Sequence, residues 1–126
     1  MKSKTEAHLC MEAILLELFG AAHAEFHITQ PDYLARWQKR TRTKTGKIRK
    51  LSVWRHDYAV PYGDHKLAVE IEGLGKGHQG TAGFLANIPK YNESAVQGFS
   101  LLRFTVQMVK DGRARATLQA WKRARA

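Results

Sequence analysis

Apolar residues near the start of the chain recur at helical spacing. The stripe predicts an amphipathic helix over residues 6 to 19, with Gly20 at its end. Its members lie three or four positions apart: Leu9, Ala13, Leu16 and Phe19. Residues 24 to 29, AEFHIT, then predict a short strand. After them, Gln30-Pro31-Asp32 indicates the start of a short helix that would continue through Tyr33, Leu34 and Trp37.

The middle of the chain has the pattern of a β-hairpin. Residues 51 to 60 and 66 to 72 are rich in Val, Ile, Trp and Tyr, which favour strands. The connection at residues 61 to 66 contains Pro, Gly and Asp, which are typical of turns. We therefore expect a hairpin centred between Gly63 and Asp64, in which facing residues have numbers that sum to 127.

The last third of the chain returns to helical spacing. One helix is predicted up to Gly98, beginning at Gly83 or, if Pro89 occupies its first turn, near Ile88. Residues 100 to 105, SLLRFT, predict a buried strand, and residues 106 to 124 a last basic helix through Val109, Leu118 and Trp121. The predicted order is helix, strand, hairpin, helix, strand, helix. Such an order is typical of an α/β sandwich with a mixed central sheet flanked by helices.

Composition limits the chain to one modest core. It has 126 residues, 44% of them hydrophobic, so we expect a single domain over residues 1 to 126. Cys10 is the sole cysteine, which excludes an intramolecular disulfide. Acidic residues interrupt the first apolar segment, and no run reaches membrane-spanning length. These features predict a cytoplasmic protein without a membrane partner.

The formal net charge is +10 and the isoelectric point is near 10.1, which favours a polyanionic partner. Residues 36 to 50 concentrate this charge without an interrupting acid. We expect phosphate contacts from the basic side chains of this segment, with salt-sensitive binding. The candidates are Lys39, Arg40, Arg42, Lys44 and Lys47. The alternative is a basic surface loop that only improves solubility.

Three acids lie near the predicted turn of this basic chain. In the expected register Asp57 faces Glu70 and Arg55 faces Glu72, so that Asp57, Glu70 and Glu72 would share one side. The opposite, core side would carry Leu67, Val69 and Ile71. Carboxylates so close repel one another unless a cation intervenes, and Mg²⁺ prefers oxygen ligands. The alternative is a solvated strand face in which Arg55 neutralises Glu72.

A metal site within a basic surface suits hydrolysis of a phosphodiester. Basic residues would hold the nucleic-acid backbone, while a divalent ion polarises the scissile phosphate and activates water. The sequence therefore predicts two zones of opposite charge with separate tasks.

Several motifs occur in an order that resembles a known superfamily of nucleases. They are WRHDYAVP at 54 to 61, KLAVEIEG at 66 to 73, His78, KYN at 90 to 92 and LLRFTVQMV at 101 to 109. Together they resemble small phage and bacterial nucleases of the PD-(D/E)xK, restriction-endonuclease-like superfamily, near the very-short-patch-repair-like members. The match covers about residues 50 to 110, with a weaker counterpart at Glu12.

The resemblance implies a restriction-endonuclease-like fold of αβββαβα order and a set of site residues. Asp57 and Glu70 would bind Mg²⁺ or Mn²⁺, with the backbone carbonyl of Ile71 as a further ligand. Glu72 stands where the superfamily usually has a lysine, which puts the activation of water in doubt. Lys90 would take over that role, unless it is an ordinary surface lysine.

Two more residues receive roles from the same resemblance. Glu12 would point from the first helix toward the metals, or else be a surface residue. His78, in a glycine-rich loop, would donate a proton to the leaving oxygen or contact a phosphate, although a lone loop histidine is more often polar surface. Arg55 is a further candidate for contact with nucleic acid.

We therefore predict a Mg²⁺- or Mn²⁺-dependent endodeoxyribonuclease that acts on double-stranded or branched DNA, in bacterial or phage-infected cytoplasm. The missing lysine favours one alternative, a nucleic-acid-binding module on the same fold that has lost turnover. A second alternative is an RNA-directed basic protein, which would leave the three acids without a purpose. The sequence leaves open whether the chain forms homodimers.

Overall fold

The computed structural model describes residues 4 to 31, 33, 54 to 73 and 81 to 126. The described elements, in chain order, are α1 (Glu6–Phe19), β1 (His23–Ile28), β2 (Trp54–Tyr62), β3 (His65–Glu72), α2 (Thr81–Val96), β4 (Phe99–Thr105), α3 (Val106–Asp111) and α4 (Arg113–Ala124). The predicted order of helices and strands is therefore confirmed, apart from the division of the last helix. Most of the predicted short helix after Gln30 lies outside the described residues.

The four strands form one mixed sheet in the order β1-β2-β3-β4. Strand β2 is antiparallel to both β1 and β3, whereas β4 is parallel to β3. Parallel neighbours need a crossover connection, and α2 lies in the chain between β3 and β4. The prediction of an α/β protein with a mixed central sheet and helices is thus confirmed.

The hairpin of β2 and β3 has the predicted register. Tyr62 pairs with His65 and Tyr58 with Val69, so the facing numbers sum to 127. The connection is shorter than the predicted six residues, because both strands extend to a two-residue turn at Gly63 and Asp64. Gly63 has φ +58°, a left-handed conformation that glycine adopts without steric cost.

One face of the sheet carries the main core. Helix α1 contributes Met11, Ile14 and Leu15, which are almost fully buried against β2, β3 and the C-terminal helices. The predicted apolar stripe is therefore not the buried face of α1, because its members Leu9 and Leu16 are 56% and 51% exposed. Leu67 and Val69 point into this core as predicted, and Ile71 packs at its edge. The buried residues of the C-terminal part are Val109, Ala114, Leu118 and Trp121. The opposite face of β3 and β4 meets α2.

Helix α2 corrects the prediction that Pro89 marks a first turn. The helix begins at Thr81, and Pro89 lies inside it at an exposed position. Proline removes one backbone hydrogen bond and crowds the carbonyl four residues earlier. The turns on both sides of Pro89 nevertheless remain helical, so that Lys90 lies in the middle of α2 rather than near its start.

The predicted single helix over residues 106 to 124 is also wrong. Gly112 has φ +95° and separates α3 from α4. The Asp111 carboxylate accepts a hydrogen bond from the backbone N–H of Arg113 at 3.1 Å, which satisfies a donor at the start of α4. Spacing alone did not reveal this break, because Val109, Leu118 and Trp121 are all buried despite it.

No helix in the described part of the chain combines the length and apolar character needed to cross a membrane.

Candidate functional site

The Asp57 and Glu70 carboxylates each accept a hydrogen bond from a backbone N–H of the opposite strand. The backbone N–H of Asp57 donates to Glu70 Oε2 at 2.9 Å, and the backbone N–H of Ile71 donates to Asp57 Oδ2 at 2.7 Å. The backbone pairing of β2 with β3 ends one residue earlier, at Tyr58 and Val69. Side-chain carboxylates therefore take the place of backbone carbonyls where the ladder stops, and both acids are fixed by the opposite strand.

Strand β2 is distorted at Asp57. Residues two apart on a regular strand share a face, yet His56 contacts Ser94 of α2 while Tyr58 donates to the backbone carbonyl of His8 in α1. In the neighbouring strand β1, the residues before and after Glu25 pair with the residues after and before Asp57, so Glu25 lies opposite Asp57. Glu25 has φ +50°, which is uncommon for a residue with a side chain. Glu70 and Glu72 share the α2 face as predicted, whereas Asp57 lies at the point where the faces change.

Lys90 reaches the acids from α2. Its Nζ donates to Glu70 Oε1 at 2.6 Å and to the backbone carbonyl of Arg55 at 2.8 Å. The Lys90 and Glu70 side chains are only 12% and 8% exposed. An ammonium group has three donors, so a third N–H remains for a further acceptor. The sequence prediction thus identified a lysine that lies beside the acids.

The two carboxyl groups differ in their tendency to ionise. Burial raises the pKa of Asp57, and the negative charge of Glu70 raises it further. Burial also opposes ionisation of Glu70, but the contacts with His56 and Lys90 outweigh it and lower the Glu70 pKa. Lys90 therefore compensates Glu70, while the charge of Asp57 is compensated poorly.

Glu72 is held away from this pair by other partners. Arg103 of β4 donates its Nε–H to Glu72 Oε1 at 2.8 Å, and the Tyr91 hydroxyl donates to the same oxygen at 3.3 Å. Arg103 also stacks over the Tyr91 ring at 4.7 Å. Arg55, which we expected to face Glu72, does not pair with it, because the β2–β3 ladder ends at Tyr58 and Val69. Arg55 is exposed and lies opposite His27 of β1.

The first helix contributes two side chains near the hairpin. The Glu12 carboxylate accepts hydrogen bonds from Lys4 Nζ at 2.6 Å and from the Tyr58 hydroxyl at 3.1 Å. The hydrogen bond from Lys4 is the main cause that lowers the Glu12 pKa. His8 lies one helical turn earlier, with Nε2 at 3.8 Å from Asp57 Oδ1. The sequence predicted Glu12 as the residue of α1 that approaches the site, but His8 also lies close to Asp57.

The described residues contain no group of three or more His, Cys, Asp or Glu side chains arranged to hold a metal ion. Asp57 and Glu70 form a pair, and Glu72 does not complete a trio in this arrangement. Ile71, whose carbonyl was expected to be a further ligand, lies in β3 opposite Phe104 of β4.

Several predicted residues lie outside the described parts of the chain. They are His78 of the glycine-rich loop and the basic candidates Lys39, Arg40, Arg42, Lys44 and Lys47. Their proposed contacts with phosphate remain sequence predictions.

Sequence reasoning missed His8, His56, Ser94 and the Arg103–Tyr91 pair. Spacing offered a partial signal for two of them. His8 precedes Glu12 by four residues and Ser94 follows Lys90 by four, and residues four apart share a helix face. The role of His56 depends on the distortion of β2, for which the sequence gives no sign.

Comparisons of the chain with protein-family models, curated proteins and solved structures found no match.

Proposed function

We propose that the chain is a metal-dependent DNA endonuclease whose site centres on Asp57 and Glu70. The two cross-strand hydrogen bonds that hold these acids at the end of the hairpin ladder, from Asp57 N–H to Glu70 and from Ile71 N–H to Asp57, carry the proposal. The net charge of +10 favours a phosphodiester substrate over small neutral ones. The α-βββ-α-β order and the parallel pairing of β3 with β4 are consistent with the restriction-endonuclease-like fold implied by the motifs.

A divalent cation suits Asp57 and Glu70 in charge and in donor type. Burial and the neighbouring Glu70 charge raise the Asp57 pKa, and a bound cation would relieve both effects. Carboxylate oxygens are the ligands that Mg²⁺ and Mn²⁺ prefer. When bound, such an ion would polarise the scissile phosphate and lower the pKa of a water. Glu72 does not belong to this ligand set, because Arg103 and Tyr91 occupy it.

Lys90 has the position expected of a residue that orients the attacking water. Two of its donors are fixed by Glu70 and by the carbonyl of Arg55. The third can point to a water or to a phosphate oxygen, and the positive charge would stabilise the charge that develops on the phosphate. Lys90 in α2 thus offers the cation that the missing lysine at position 72 would otherwise supply.

Cleavage of supercoiled plasmid tests the proposal. The protein should nick DNA with Mg²⁺ or Mn²⁺ and not with EDTA, and Asp57→Asn or Glu70→Gln should each abolish nicking. Asp64→Asn is the matched control, since Asp64 is an exposed acid in the turn of the same hairpin and should keep full activity. Nicking that persists in the Asp57 and Glu70 variants would refute the assignment of the site.

One observation favours a second candidate, a nucleic-acid-binding module without turnover. Lys90 already compensates Glu70, and Arg103 compensates Glu72, so the acids have protein partners in the absence of a cation. Such a module would retard DNA in a gel equally with the wild-type protein and with both acid variants, and would cut none of it. An RNA preference would appear as competition by RNA at matched salt concentration.

A further inference from the structure

His56 and Ser94 form a fully buried pair behind the candidate site. Neither residue has measurable exposure, and His56 Nε2 lies 2.8 Å from Ser94 Oγ. The other ring nitrogen, Nδ1, lies 3.5 Å from Glu70 Oε1 and has no hydrogen-bond partner among the described residues. A buried polar atom without a partner is costly and calls for an explanation.

The order of Ser94, His56 and Glu70 looks like that of a hydrolytic triad, but the geometry argues against nucleophilic chemistry. The nucleophile of such a triad must reach its substrate. Ser94 is completely buried between α2 and the sheet, so no substrate atom can approach its hydroxyl. The His56–Ser94 pair must therefore act on Glu70, which belongs to the candidate site.

We propose that His56, oriented by Ser94, is a positioning residue that holds the Glu70 carboxylate for a divalent cation. This inference rests on the proposed function, because it assigns Glu70 to a cation site. In the proposed arrangement the Ser94 hydroxyl donates to Nε2 and the ring proton lies on Nδ1, which is 3.5 Å from Glu70 Oε1.

The charge of Glu70 supports this arrangement of protons. A carboxylate accepts hydrogen bonds and cannot donate them, so an unprotonated Nδ1 would place a lone pair against a negative oxygen. The Ser94 hydroxyl can rotate to donate or accept, and it therefore adapts to the ring. Carboxylates that bind metal ions in proteins are themselves hydrogen-bonded, and these outer partners fix their orientation.

The contact with His56 gives Glu70 Oε1 a second neighbour besides Lys90. Lys90 holds Oε1 at 2.6 Å in the present arrangement, closer than His56 at 3.5 Å. Lys90 shares its donors among Glu70, the Arg55 carbonyl and the substrate, whereas the buried Nδ1 of His56 has no competing acceptor among the described residues. His56 thus keeps the carboxylate from swinging away while the lysine acts on substrate.

A pair of substitutions at His56 separates the two ring nitrogens. His56→Asn places an amide near the position of Nδ1, and His56→Gln places one near Nε2. Both lose the ring and should destabilise the fold to a similar extent. We expect His56→Asn to bind Mn²⁺ within about threefold of wild type and His56→Gln to bind it at least tenfold more weakly, the range known for partners behind metal ligands. Mn²⁺ titration followed by electron paramagnetic resonance measures this, with thermal unfolding as the check on folding.

Long-range ¹H–¹⁵N spectra of the ring provide a readout that needs no cation or cleavage. Nδ1 of His56 should carry a proton in the wild-type protein. An unprotonated Nδ1, or equal Mn²⁺ affinities for the two His56 variants, would overturn the positioning role. A wild-type protein that binds no Mn²⁺ would refute the metal-dependent nuclease and its cation site together, even if Nδ1 proved to be protonated. If only His56→Gln binds Mn²⁺ weakly and the wild-type protein never nicks DNA, the positioning role is supported and only the turnover is refuted.

Discussion

Replacement of Lys90 by Met would remove the cation beside Glu70 and keep most of the side-chain volume. Lys90 Nζ lies 2.6 Å from Glu70 Oε1, and both side chains are largely buried. Loss of one partner from a buried ion pair leaves the other charge without compensation, which typically costs about 3 to 5 kcal/mol.

Proton uptake by Glu70 limits this charge penalty. The ordinary pKa of glutamate is 4.5, and each pH unit corresponds to about 1.4 kcal/mol, so protonation of the buried carboxyl at pH 7 costs about 3.4 kcal/mol. We therefore expect Lys90→Met to lower the free energy of unfolding by about 3 kcal/mol at pH 7.

The loss should become smaller at acidic pH. In the wild-type protein the folded Glu70 pKa is lowered, so the carboxylate stabilises the fold above its unfolded pKa, and this contribution is lost as the pH falls through the folded value. In the variant the Glu70 pKa rises, because the contact with Lys90 no longer opposes the effect of burial. The charge penalty also exists only while the carboxylate is ionised. The difference between the two proteins should fall by about 1.4 kcal/mol per pH unit from pH 7 toward 4.5.

Urea unfolding at pH 7, 6 and 5, followed by circular dichroism, measures this difference. Lys110→Met is the matched control, since Lys110 is exposed in the last turn of α3, and it should change stability by less than about 0.5 kcal/mol. The double variant Lys90→Met/Glu70→Gln should recover more than about 1 kcal/mol relative to Lys90→Met alone. A loss that is independent of pH, or a double variant without recovery, would refute the reasoning.

Three further predictions concern the core, the helix break and the acids. Leu118→Ala, at a fully buried position, should lower the unfolding free energy by about 2 to 5 kcal/mol in denaturant titrations, whereas Leu16→Ala, at a position that is 51% exposed, should lower it by less than about 1 kcal/mol. Gly112→Ala should cost about 1 kcal/mol because of the left-handed φ, and equal thermal midpoints would contradict this. Glu72→Gln should retain Mn²⁺ affinity within about threefold, whereas Glu70→Gln should reduce it more than tenfold by calorimetry.

The order of elements followed from local signals that tertiary structure did not override. Apolar spacing predicted the bounds of α1 but not its buried face, and the Gly63–Asp64 turn predicted the hairpin register correctly. The end of α1 at Gly20 was also predictable, since glycine accepts the left-handed conformation found there. These features depend on residues close together in the sequence, and that is why periodicity and turn chemistry could reveal them.

The errors arose where one residue changes a long regular pattern. Pro89 left the start of this helix open between Gly83 and Ile88, although α2 begins at Thr81 and tolerates Pro89 at an exposed position inside. Gly112 was passed over because the apolar spacing on its two sides continued without a visible shift. In both cases propensity had to be weighed against packing, and the outcome depends on contacts with other elements that the sequence does not display.

The sequence pointed to the acids and the lysine of the candidate site, but not to its other members or to its geometry. The register argument brought Asp57 opposite Glu70, but it also assumed a ladder that continued to Arg55 and Glu72. A continued ladder would set like charges directly opposite one another, which destabilises a hairpin. Arg103 belongs to β4, more than thirty residues beyond Glu72, so no local rule could have named it as the partner of Glu72.

The repulsion between the two acids offers a physical reason for the opening of the hairpin. Each carboxylate turns toward a backbone N–H of the opposite strand, and two charge-assisted hydrogen bonds replace the ordinary backbone pair. The ladder then ends, and Lys90 of α2 can donate both to Glu70 and to the Arg55 carbonyl near this end. The like charges that make a regular strand pair unfavourable thus create the place where a cation, from the protein or from solvent, is most strongly favoured.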